Sequence, residues 1–134
     1  MNFLRLSFIP KSADFALLLL RLWLGLSMLL LHGWGKLTDF SAKAAKFADP
    51  IGIGSHASLG LAVFAEVGCA ALLIVGFLTR FAALSLAITM AVAFFLVHKS
   101  ALSGAQSGEL AFIYLAGFLA LVFAGGGKFA FERE

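Results

Sequence analysis

Charged side chains are scarce in this chain: 13% of its 134 residues carry one, against 62% that are hydrophobic. Soluble domains run at roughly 25% charged and 45–50% apolar, so the balance, with a mean hydropathy of +1.03, excludes a soluble domain and makes this an integral membrane protein. Cysteine occurs once, at Cys69, which excludes an internal disulfide and any C-x-x-C exchange cycle within the chain. Among its apolar neighbours Cys69 reads as a small core filler rather than a reactive thiol. Proline occurs twice, at Pro10 in a short leader and at Pro50 where an amphipathic stretch ends. Flavin, nucleotide and iron–sulfur motifs are missing, as are H-x-x-H and H-E-x-x-H pairs, so no metal site is expected and any electrons come from a partner. The formal charge of +3 and pI of about 9.4 come from basic residues scattered beside apolar runs, which is the habit of membrane flanks and not of a nucleic-acid surface. No small-x-small cleavage site follows the first apolar run, so that run is read as a retained helix and not a signal peptide.

What is present begins with Phe15 to Leu37, an apolar run with an arginine inside it. At about 1.5 Å per residue it can cross a hydrocarbon core of about 30 Å. Arg21, Gly25, Met28, His32 and Lys36 recur at spacings of four and three and so share one stripe, which must face protein rather than lipid. A second run, about Ala57 to Leu78, holds Glu66 near the bilayer midplane, too short to reach the headgroups and therefore paired or protonated. A third follows at once, turning at Thr79-Arg80, with Ala83, Ala87 and Ala91 forming a small-residue seam. After the Ser/Gly-rich loop 100–108, Glu109 opens a fourth helix that stops at Gly125-Gly126-Gly127.

The expected architecture is therefore an all-α membrane four-helix bundle forming one domain over residues 1–134, with helices at about 14–34, 57–78, 80–98 and 109–124. Leu37, Phe40, Ala44 and Phe47 set against Lys43 and Lys46 predict a short interfacial helix between helices one and two. The Gly52-Ile53-Gly54 stretch after it reads either as a plain connector or as a lid over the end of the bundle. Four crossings place both termini on one side, and taking that side as cytoplasmic puts five basic residues inside (Arg5, Lys11, Arg80, Lys128, Arg133) against four outside.

Antiparallel threading brings His32, Lys36, His56, His98, Lys99 and Glu109 to one membrane boundary. For His56 the ordinary interfacial reading is preferred, whereas His32 shares the inward stripe. The expectation is a polar pocket between helices one, three and four, walled below by Met28 and the Ala87–Ala91 seam, with His32 hydrogen-bonded to Glu109. Arg21 and Glu66 are expected to form an intramembrane ion pair, because aligning the helix ends leaves an axial offset of only about 7–8 Å.

The pattern resembles the DoxX family of small four-helix bacterial membrane proteins. The resemblance is carried by Arg21-x-x-x-Gly25 leading to His32-Gly33-x-x-Lys36-Leu37, Glu66-x-Gly68 leading to Gly76-Phe77-Leu78-Thr79-Arg80-x-Ala82, then Met90, His98, Glu109 to Tyr114 and Gly125-x-Gly127. Where relatives often close with serine-leucine-aspartate after the glycines, this chain has Phe129-Ala130-Phe131. The resemblance implies a bacterial inner-membrane protein, since some relatives are membrane subunits of a thiosulfate:quinone oxidoreductase and others accompany soluble redox and thiol-handling proteins. The first functional reading is thus a quinone-linked subunit working with a partner oxidoreductase, with His32, Lys36, His98 and Glu109 as the candidate quinone site and no covalent cofactor. The alternative is a non-enzymatic anchor or assembly partner for soluble redox proteins. A small-solute pathway is a third, which would need a homo-oligomer because one chain has four short helices and no repeat.

Overall fold

The computed structural model describes residues 1–133; Glu134, the end of the charged tail, lies outside them. Every regular element among the described residues is helical. The first helix, α1, runs Ala13–Thr38. Ser12 starts it, its hydroxyl accepting from the Phe15 N–H at 3.1 Å, while Asp14 puts negative charge in the first turn. The helix runs past its expected end at Trp34, because Gly33 keeps helical angles and costs only about 1 kcal/mol there. It is needed for close approach: a Cβ on Gly33 would strike the Glu66 carbonyl.

The interfacial helix α2 is brief, Phe40–Ala44, with Ala44 turned inward and fully buried. The second and third long helices are α3, Ser55–Val75, and α4, Thr79–Val97. The turn between them falls at Gly76–Leu78, three residues earlier than the apolar run implies. Gly76 ends α3 with φ +83°, its N–H and that of Phe77 both donating to the Leu72 carbonyl. Any side chain there would also collide with Ala130. The fourth long helix, α5, spans Glu109–Ala124, the bounds read from the sequence. At 26, 21 and 19 residues, α1, α3 and α4 are long and apolar enough to cross a membrane. The 16 residues of α5 give about 24 Å.

The helices alternate in direction, so the start of α1 and the end of α5 meet. Asp14 Oδ1 accepts the Lys128 N–H at 2.9 Å, and the tail runs on beneath the α3–α4 turn, where the Phe131 and Glu132 N–H groups donate to Val75 and Gly76. Between the helices, α4 packs most extensively on α5 and α1 lies along α3. The seam expected on α4 is used in this way in part: Ala83 and Ala87 are buried in the core with Leu86, Phe118 and Leu121, whereas Ala91 is only half-buried. Trp23, Leu30, Leu31, Ile88 and Phe123 point outward, as a lipid-facing surface requires.

Candidate functional site

Three of the long helices contain a π-helical turn: Leu29–Gly33 in α1, Phe64–Cys69 in α3 and Val92–Val97 in α4. Such turns sacrifice regular hydrogen-bond spacing and recur at functional sites. These three carry His32, Glu66 and the Val92–Ala93 wall around a single cavity of about 520 Å³. Its walls are largely apolar, from Met28, Leu61, Ala62, Ile88, Met90 and Ala111, and its polar groups include His32, Lys36, Ser58, Glu66, Thr89, His98, Ser107 and Tyr114. All four long helices contribute, so the pocket is wider than the three-helix one expected. On α4 the wall is Ile88 to Met90 with Val92, Ala93 and Val97, because Ala83 and Ala87 face the core instead.

The central polar feature is an ion pair. Lys36 Nζ donates to Glu66 Oε1 at 2.6 Å, with the Glu66 side chain 4% exposed and that of Lys36 24% exposed. The carboxylate is thus the buried partner, and the ammonium keeps donors free towards the cavity. His32 stands beside them, its ring edge-on to Tyr114 with centroids 5.7 Å apart. The Tyr114 hydroxyl donates to Ser27 Oγ at 2.8 Å, and that hydroxyl in turn donates to the Trp23 carbonyl at 2.7 Å, which fixes the phenol ring. His98 Nδ1 lies 3.1 Å from the Gln106 carbonyl oxygen. A carbonyl can only accept, so Nδ1 is the nitrogen that donates in this contact.

The end of the cavity nearest α2 is roofed by Phe47, Ala48, Pro50 and Ile51. Asp49 clasps this roof to α3: its carboxylate accepts from Ser58 Oγ at 2.8 Å and from the Gly54 and Ile53 N–H groups at 2.8 and 3.0 Å. The Ser58 hydroxyl first, then the Gly54 amide, hold that carboxyl below the usual aspartate range, so the clasp is charged at neutral pH.

Two expected contacts are corrected. Arg21 does not meet Glu66. Gly33 is the residue seated at the Glu66 carbonyl, and Arg21 precedes it by twelve residues, about 18 Å along the helix. Counting from aligned helix ends misses this because α3 stops at Val75 while α1 begins well below it, beside the tail. Arg21, 1% exposed, instead donates to the carbonyls of Leu73, Gly126 and Phe129 at 3.3, 3.0 and 3.4 Å. Those carbonyls belong to the ends of α3 and the chain after α5, where helix dipoles favour a cation. Glu109, the second correction, is exposed and outside the cavity lining, which at the start of α5 comes from Gly108, Leu110 and Ala111; His32 faces Tyr114 in its place. His56 is exposed and also outside the lining.

Sequence reasoning passed over Tyr114, Ser58, Thr89 and the Asp49 clasp. A Tyr in the second turn of an otherwise apolar α5 was the available signal for the first, since a phenol in a membrane helix needs a partner. Among the described residues, no group of three or more His, Cys, Asp or Glu side chains comes together to hold a metal ion.

Comparison with known proteins places these features in a family. An uncharacterized protein of Haemophilus influenzae is 33% identical over 112 residues, covering 80% of this chain and 81% of that protein. No solved structure matches. The DoxX family model matches residues 16–99, the stretch that supplies Arg21, His32, Lys36, Glu66 and His98. The chain belongs to the DoxX family.

Proposed function

We propose that this protein is the membrane subunit of a redox system in the bacterial inner membrane, with both termini cytoplasmic, and that its cavity takes the head group of a quinone. The observation that carries the reading is the Lys36–Glu66 pair set at the polar end of an apolar cavity of about 520 Å³, with His32 beside it. A quinone head needs donors for its carbonyl oxygens and an apolar slot for its ring and tail. Lys36 and His32 supply the first, and Met28, Met90 and Ala111 the second. Reducing a quinone to the quinol takes two electrons and two protons. The electrons come from a partner oxidoreductase, and side chains of this kind, hydrogen-bonded to the quinone oxygens, are suited to deliver the protons.

The test is isolation of the protein from native membranes in mild detergent, followed by identification of bound quinone and associated proteins. Quinone recovered together with a redox protein supports the proposal. Stable redox partners with no quinone favour the alternative of a non-enzymatic anchor, for which the outward face of the Phe40–Ala44 and roof segment is the accessible surface.

A further inference from the structure

We propose that the cavity is loaded sideways from the bilayer, through a fissure between α3 and α4, and that a bound quinone leaves its isoprenoid tail in that fissure. The route deepens the quinone reading and rests on it for the identity of the occupant. The geometry of the opening is independent of it.

Three observations point to this route. The α3–α4 hairpin is packed along Phe64–Val75, but beyond Phe64 the first turns of α3, Ser55–Val63, have at most sparse contact with α4. The arms therefore diverge away from their turn, and the cavity fills the gap. Next, the residues framing the gap belong both to the cavity lining and to the outer surface: Leu61 on α3 is 54% exposed and Ile88 on α4 is 57% exposed. Leu61 lies six residues inside α3, about 9 Å below its roofed end, and both residues are within helices apolar enough to span the membrane. This mouth faces hydrocarbon. Finally, the end of the cavity nearest α2 is covered by the roof, held by the three hydrogen bonds of Asp49. Entry beneath the roof would have to break all three, whereas the lateral mouth is lined by side chains that need only change rotamer.

The first arm of the test needs no quinone. In proteoliposomes of a Cys69→Ala background, a cysteine introduced by Ala93→Cys reports on the cavity wall. It is treated with a pyrene-linked maleimide that partitions into lipid, or with a sulfonated maleimide that stays in water. The fissure predicts faster labelling by the lipid-borne reagent, slowed about fivefold or more when Leu61→Trp narrows the mouth and unaffected by Asp49→Ala at the roof. Faster labelling by the sulfonated reagent, or acceleration by Asp49→Ala with no effect of Leu61→Trp, would overturn the proposal. Leu61 is half turned to lipid, so the tryptophan does not disturb the core.

The second arm compares a long-chain ubiquinone with one carrying a single isoprene unit. Leu61→Trp should weaken the long-chain ligand about tenfold more than the short one. Equal losses for both would contradict a tail in the fissure. If neither quinone binds the unmodified protein, the proposed function fails and the tail assignment with it, and the labelling arm alone decides the lateral opening.

Discussion

At the scale of single residues, the account turns on which cation belongs to which oxygen. Glu66 is nearly fully buried and its partner is Lys36, whereas Arg21 spends its donors on three backbone carbonyls. Removing Lys36 alone leaves a buried carboxylate without a partner, a loss of commonly about 3–5 kcal/mol, while replacing both members with apolar residues should hurt far less. A double-mutant cycle of Lys36→Met and Glu66→Leu, followed by thermal unfolding in detergent, should therefore give a coupling of about 1–3 kcal/mol. The same cycle with Arg21→Leu in place of Lys36→Met should be additive within about 0.5 kcal/mol, since the two groups are a dozen residues apart along the register. Coupling of Glu66 to Arg21 instead of Lys36 would refute the assignment. Arg21 ties the tail to α3 through those carbonyls, and Lys at that position would offer a point charge and no planar fork to reach all three.

Among the elements, the contact between α1 and α3 sets everything at the pocket. Gly25 lies against Ala70 and Ile74, and Gly33 against Glu66 and Val67, so the two helices share one continuous close-packed face. Gly33→Ala should push α1 away from α3 at the level of the ion pair, with a loss of stability of about 1–3 kcal/mol from overpacking. Gly60 is the control, because a Cβ there meets nothing within 4 Å. Gly60→Ala should be neutral or slightly stabilising in the same thermal assay, and equal losses at the two glycines would mean that the α1–α3 contact is not the sensitive one. The four long helices and the inward stripe on α1 were legible in the sequence because apolar run length and period follow directly from membrane thickness and helical geometry. The register between helices was not. It depends on where the small residues let backbones meet, and an error of about 10 Å there moved the partner of Glu66 from Lys36 to Arg21. The three π-helical turns were equally hidden, since runs such as Leu29-Leu30-Leu31 carry no mark distinguishing an α turn from a π turn. The polar identity of His32, Lys36, Glu66 and His98 was readable from their cost in lipid, as that of Tyr114 could have been, whereas the Tyr114–Ser27 contact and the Asp49 clasp became visible only when the chain was folded.

For the whole molecule, the bundle is polarised. One end is a staple, where Arg21, Asp14 and the tail tie together the start of α1, the α3–α4 turn and the chain after α5. The opposite end is where the helices loosen, through π turns and the spread of α3 from α4, around a roofed cavity. A tight end with its charge satisfied by carbonyls can hold the fold while the loose end accommodates a ligand. The central claim, that the loose end binds a quinone head at Lys36 and His32, is tested most directly by calorimetric titration of the purified protein in lipid nanodiscs with a ubiquinone carrying a single isoprene unit. The account predicts saturable binding, weakened about tenfold or more by His32→Ala and by Lys36→Met through loss of one head-group hydrogen bond each, and left unchanged by His56→Ala, whose ring is exposed outside the cavity. Absence of saturable binding, or equal affinity in the His32→Ala and His56→Ala proteins, would contradict it.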